Sequence, residues 1–356
     1  MSTTNSSGFD YYNYMDLCFF DYFPMDFLLR LRWFYRHSRL YFWLPLGVIS
    51  NMLAVAGSFE RARRSSAHLF MFVLAWADIT VLMNRTIFHD ILQVRLRYQF
   101  SQIGCKIEGF VDRLAFPLSS WLLVLMTVDR TVAITRPLSA HRLCTAKRAF
   151  IQIITLVSAL LIFNLSSTVW LYKATKHIFW INCIPKSESK VLVDAYEAIV
   201  RSLESYLPFL LITVLNGIMA TSVRRAMKIQ AEMTGAKKTN QAGNRVTVMV
   251  VIVSVSFLLL MGPFSLSYIL FTVGFDSSND AINYYLSHCD GPGPIFTVLK
   301  HIAESMVDLN YVINGYIYVA TSSQFRSDIA RVFCSGGIVK LKESIGGSSK
   351  SNDGNL

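Results

Sequence analysis

Residues 308–319 read DLNYVINGYIYV. Within this run Asn310, Asn314 and Tyr318 recur every four residues, so a helix stacks them along one stripe. Polar groups in so apolar a setting are costly unless they find partners. Asp308 opens the run on a different face from the stripe, and Glu304 stands one turn before Asp308 on that face. Asp78 interrupts LAWAD, Asp112 and Arg113 interrupt a second apolar run, and Glu204 precedes YLPF. Acids gathered in apolar surroundings repel one another and take up protons or cations. Two chemistries are open: an internal ion-pair network with Arg113, Arg201 and Lys300, or an acidic pocket awaiting a basic ligand. The pocket is the sharper expectation. Asp112, Arg113, Glu204, Glu304 and Asp308 would be its polar lining. Phe116, Phe264 and Tyr268 would be aromatic walls suited to cation–π contact. No metal-ligand spacing, phosphate-cradling glycine loop or nucleophile motif lies on an accessible segment, so the chain is not read as an enzyme.

These residues need elements to position them. The chain has 356 residues, 53% hydrophobic and only 16% charged, with a mean hydropathy of +0.40. Soluble chains carry about a quarter charged residues. Residues 40–59, 149–172, 205–223 and 246–275 hold no Asp, Glu, Lys or Arg, and 69–92, 107–134 and 293–319 are apolar with isolated charges. A helix needs ~20 such residues to cross a bilayer, and backbone in lipid must satisfy its own hydrogen bonds. The expected fold is an all-α membrane protein, a seven-transmembrane helix bundle over residues 39–321. It follows an outer N-terminal segment (1–38) and precedes an amphipathic juxtamembrane helix (322–334) and a disordered inner tail (335–356).

Lysine and arginine favour the inner loops, with Arg61, Arg63 and Arg64, then Arg136, Arg142, Lys147 and Arg148, then Arg224, Arg225 and Lys228. This places the N-terminus outside. Arg30, Arg32, Arg36 and Arg39, just before span one, are the exception. The net charge of +11 suits inner loops meeting anionic membrane lipids better than it suits nucleic acid. Asn5-Ser6-Ser7 is a glycosylation acceptor if outside. Cys18, Cys105, Cys183 and Cys289 would lie outside, where disulfides persist. Four cysteines allow three pairings, of which Cys105–Cys183 with Cys18–Cys289 is favoured. SSQFRSDIARVF reads as a helix along the inner membrane surface, with Cys334 beyond it as a juxtamembrane palmitoylation site.

Successive spans carry Asn51 in GVISNMLAV, Asp78 in LAWAD, TVDRTVAITRPL, Pro208 in YLPF, FLLLMGPF, and the 308–319 stretch followed by TSSQFR. This set, in this order, resembles the rhodopsin-like (class A) G-protein-coupled receptors over roughly residues 40–335. The resemblance implies that Asp78, Ser119, Asn310 and Asn314 hold a sodium ion, with no other cofactor. It implies that Asp129 restrains Arg130 at rest, that Leu138 docks the G protein, that span six hinges near Pro263, and that Tyr318 supports the active state. Asp112 falls where the family anchors cationic ligands.

The chain departs from the pattern at Met261, Asn216, Thr155, Ser120 and Gly315, the last standing where proline usually bends span seven. Glycine keeps the backbone hydrogen bond and permits the bend instead of enforcing it, which reads as a looser hinge. Asn-x-x-x-Asn without the following proline resembles some invertebrate neuropeptide receptors, including FMRFamide-like ones. The implied function is a plasma-membrane, multi-pass receptor with its N-terminus outside. It would bind a basic or amidated extracellular peptide and couple to a heterotrimeric G protein and arrestin. The alternative is a biogenic amine receptor anchored by Asp112. A photopigment would need a lysine where this chain has Asp308. A transporter or channel would predict internal symmetry between halves, and the sequence has none.

Overall fold

The computed structural model describes residues 30, 34–35, 37–87, 102–176, 181–185, 190–232, 241–274 and 293–333. A π-helical turn, Arg39–Trp43, leads into α1 (Leu44–Ala62), which has Pro45 in its first turn. Proline is favoured in a first helical turn because its missing N–H has no partner there anyway. Then follow α2 (Ser66–Met83), α3 (Gln102–Thr135), a short α4 (Pro137–Leu143) and α5 (Ala146–Leu171). Strands β1 (Tyr172–Lys176) and β2 (Ile181–Pro185) precede α6 (Lys190–Arg201), which continues through a π-turn, Ser202–Tyr206, into α7 (Leu207–Glu232). The chain ends with α8 (Gln241–Gly274), α9 (Gly293–Thr321) and α10 over 323–333.

Spans one to seven are α1, α2, α3, α5, α7, α8 and α9. Span one packs on two and seven, two on three, three on four and five, five on six, and six on seven, which closes the ring. Six of the helices are long and apolar enough to cross a membrane. The seventh, α9, carries Lys300, Glu304 and Asp308 in its first half and no charge from Leu309 to Thr321. Phe70, Met126, Ile212, Phe257, Tyr311 and Tyr318 fill the interior. Phe42, Ile49, Ile154, Ile162, Val214 and Leu259 point outward and exposed, the face a bilayer covers. Pro117 and Pro263 lie inside continuous helices. Proline is tolerated inside membrane helices where the freed backbone groups find other partners.

Two features depart from the sequence reading. The second outer connection holds a two-stranded antiparallel hairpin, with Ala174 opposite Cys183, packed against α3. It adds a small sheet to an otherwise all-α fold. Gly315 is not a loosened hinge. It is a point of close approach, because a Cβ there would overlap the backbone carbonyl of Ser50 on span one. Glycine is required by the neighbour's backbone, and α9 runs unbroken through it.

Candidate functional site

The outer layer is organised by arginines. Arg39, in the π-turn before α1, donates from Nε to Asp308 Oδ2 at 3.0 Å, and Arg85, in the last turn of span two, lies 3.2 Å from Asp308 Oδ1. Asp308 is 1% exposed. Arg39 also lies 3.8 Å from Glu304, donates to the Tyr35 hydroxyl, and sits over the Tyr35 ring at 4.4 Å. Burial, and next the charge of Asp308, push the Tyr35 phenol above its ordinary range, so it stays protonated. Glu304 also faces His301 at 3.5 Å. Glu204 pairs with Arg201 at 2.9 Å. The expectation that Asp308 is open lining of an acidic pocket is therefore corrected, because two guanidiniums enclose it. Buried charges persist only when paired and hydrogen-bonded, and the arginine that seemed out of place before span one is the pair.

Asp112 differs. Its carboxylate accepts from Asn84 Nδ2 at 3.4 Å, a long bond, and it forms no ion pair among the described residues. Arg85 lies within electrostatic reach of it. Arg113, the next residue, turns away to its own helix, 3.5 Å from the Gly109 carbonyl and 5.9 Å from the Tyr196 ring. Phe116 is buried edge-on to Tyr311, ring centroids 5.6 Å apart, and Phe264 packs partly buried against the same core. Met261 is wholly buried there. The side chains of Tyr268 and Lys300 lie outside the described residues.

One layer deeper, Asp78 is fully buried. It accepts from Ser119 Oγ at 2.5 Å and from Asn314 Nδ2 at 2.8 Å, with no cationic partner among the described residues. Asn310 is buried and forms no side-chain hydrogen bond among them. Asn51 does not reach Asp78. It donates to the carbonyls of Tyr311 at 2.8 Å and Gly47 at 2.9 Å. Ser50 Oγ, Asn51 Oδ1 and the hydroxyls of Tyr311 and Tyr318 are buried without hydrogen-bond partners among the described residues. A buried carboxylate beside the Ser119 hydroxyl and the Asn314 amide, groups that each carry an oxygen, is a donor set that suits a hard cation.

At the inner end Arg130 pairs with Asp129, which also accepts from Ser66 Oγ at 2.9 Å. No local pattern marks Ser66 for this role. Cys144 Sγ donates to the Asp129 carbonyl at 3.3 Å. Burial and the Asp129 charge push its thiol up to about 11. Leu138 is 95% exposed on α4. Spans five and six are joined by Ser205 with Ser265 and by Ser254, which donates to Asn216 Oδ1 at 2.8 Å. Tyr318 packs on Phe325 of α10 at 5.5 Å, and Phe325 fills the space a side chain at Gly57 would take. Arg61 grips the buried Asp328 at 2.6 Å, fastening α10 to span one. Cys18, Cys289, Asn5 and Cys334 lie outside the described residues, as do the side chains of Cys105 and Cys183. The strand that holds Cys183 packs on the helix that holds Cys105.

The profile of the 7 transmembrane receptor (rhodopsin family) matches residues 50–318. The chain belongs to this family. It is an integral membrane receptor and not an enzyme. The receptor is 24% identical over 300 residues to galanin receptor 2b of Danio rerio, covering 81% of this chain and 72% of that one. It is 25% identical to the blue-sensitive opsin of Conger conger, covering 83% and 80%. It is 23% identical to the thyrotropin-releasing hormone receptor of Gallus gallus, covering 79% and 74%.

Proposed function

We infer that this receptor binds a basic, amidated extracellular peptide in the outer half of its bundle and activates a heterotrimeric G protein at the inner end. The observation that carries the reading is Asp112, a half-buried acid in the outer half of span three with only a long hydrogen bond to Asn84 and no ion pair among the described residues. Asp308, Glu304 and Glu204 stand around it as paired acids that a ligand approaches second. Likeness to receptors named for galanin and for thyrotropin-releasing hormone supports a peptide messenger. The opsin likeness supports no photopigment, since the position that would need lysine is Asp308.

The supporting arrangement runs inward. Asp78 with Ser119, Asn310 and Asn314 would hold Na⁺, which would supply the missing positive charge to a buried carboxylate. Arg130 is restrained by Asp129, and exposed Leu138 offers an apolar contact to the G protein. The receptor sits in the plasma membrane with its N-terminus outside, is glycosylated at Asn5, bridged through Cys105–Cys183 and Cys18–Cys289, palmitoylated at Cys334, and bound by arrestin after activation.

A biogenic amine receptor is the second reading, favoured by the same lone Asp112. A second-messenger screen of amidated peptides and monoamines separates the two. Asp112→Asn should weaken a basic peptide agonist about tenfold or more with surface expression intact, the scale of one lost charged hydrogen bond. Activation by a monoamine alone would overturn the peptide reading, and equal agonist potency in Asp112→Asn would remove Asp112 from the pocket.

A further inference from the structure

The acids of the outer cavity are not equally available. Asp308 lies between two guanidiniums, 3.0 Å from Arg39 and 3.2 Å from Arg85, and Arg39 is itself 3.8 Å from Glu304. Two arginines thus face two carboxylates. Arg39 and Asp308 are both almost wholly buried, so the Coulomb attraction is screened far less than at a surface. Glu204 is likewise matched by Arg201 at 2.9 Å. Arg113 is directed to its own helix backbone. Among the described residues one acid of the layer, Asp112, has no cation paired to it.

We propose that Arg39 and Arg85 are specificity-determining residues: by neutralising Asp308 and Glu304 from within the chain, they leave Asp112 as the carboxylate of this layer without a paired cation among the described residues, and select a ligand end bearing one positive charge over two. This rests on the reading that a basic ligand is anchored at Asp112. Arg39 is delivered by the π-turn that enters span one, and Arg85 by the π-turn that leaves span two. A second cation from a ligand would have to displace a guanidinium already bonded at 3.0 Å, with no net gain of charge pairing. It would also leave a buried arginine unpaired, and burying an unpaired charge is the costliest event available in this layer.

The test uses the full-length receptor in phosphatidylcholine nanodiscs and two small probes. Nα-acetyl-argininamide carries one positive charge and argininamide carries two. Binding is read as thermal stabilisation. The wild type should bind argininamide no more tightly than the acetylated probe. Arg39→Gln, which uncovers the acid pair, should favour argininamide about tenfold, the scale of one new charged hydrogen bond. A wild type that already prefers argininamide tenfold, or an Arg39→Gln variant with an unchanged ratio, overturns the proposal. A ligand-free arm stands apart from the anchoring reading. Asp308→Asn should melt at a lower temperature than Arg85→Gln/Asp308→Asn, because the single change strands the Arg85 guanidinium while Arg39 keeps Glu304. If the double variant melts no higher than the single one, the neutralisation is wrong. If it melts higher while neither probe binds, the neutralisation stands and the Asp112 anchor falls.

Discussion

Arg39 donates to Asp308, 269 residues further along the chain, through a bond of 3.0 Å that closes span one on span seven. Removing one partner of a buried pair leaves an uncompensated charge and costs about 3–5 kcal/mol. Arg39→Asp and Asp308→Arg should each remove most receptor from the cell surface. Asp308→Glu, which keeps a negative charge between Arg39 and Arg85, should lose far less. Surface immunolabelling checks this, and full surface expression of Asp308→Arg would mean that the contact contributes little.

Gly315 and Ser50 predict an effect opposite to family habit. Any side chain at 315 must push the Ser50 carbonyl aside. Gly315→Ala should therefore cost at least the ~1–3 kcal/mol of an overpacked core. Gly315→Pro, which installs the residue usual at this position in the family, should be worse, since it also removes a helix hydrogen bond. Melting of the solubilised receptor measures both. A Gly315→Pro variant as stable as wild type would refute the close approach.

Leu138 touches water on nearly every side, so Leu138→Ala should change stability by no more than ~0.5 kcal/mol. A loss of nucleotide exchange on a reconstituted G protein at unchanged surface level would assign it to docking. Normal exchange would release it from that role.

Cys144 offers a pH readout at the same end. With its thiol raised to about 11, about one in a thousand is ionised at pH 8. The thiolate is the reactive form, so alkylation of Cys144 should be slow at neutral pH and rise about tenfold per unit up to that value. Peptide mass spectrometry of the alkylated receptor gives the rate. Rapid labelling near pH 7 would show that the thiol is neither buried nor held by the Asp129 carbonyl.

Local sequence carried much of this receptor. Uninterrupted apolar runs place the spans, and the four-residue spacing of Asn310, Asn314 and Tyr318 places them on one buried stripe. The meeting of Asp78 with Ser119 and Asn314, and of Asp129 with Arg130, followed from family positions. What stayed hidden depends on distant partners. Arg39 reads as an interfacial charge until α9 brings Asp308 beside it. Gly315 reads as backbone freedom until the Ser50 carbonyl is seen in its place. The 172–185 hairpin is too short for its alternation to stand out.

The fastenings are unevenly shared around the ring. Spans one, two and seven are joined by the Arg39–Asp308–Arg85 cluster, the Asn51 bond to the Tyr311 carbonyl, the Asn314 bond to Asp78, the Gly315 contact with Ser50 and, through α10, Arg61 with Asp328. Spans five and six share two serine contacts among the described residues. The bundle is thus a keel of three helices with lighter planking opposite. A force applied at the outer mouth finds its compliance in the planking, and the keel supplies the fixed reference against which that displacement is registered inside.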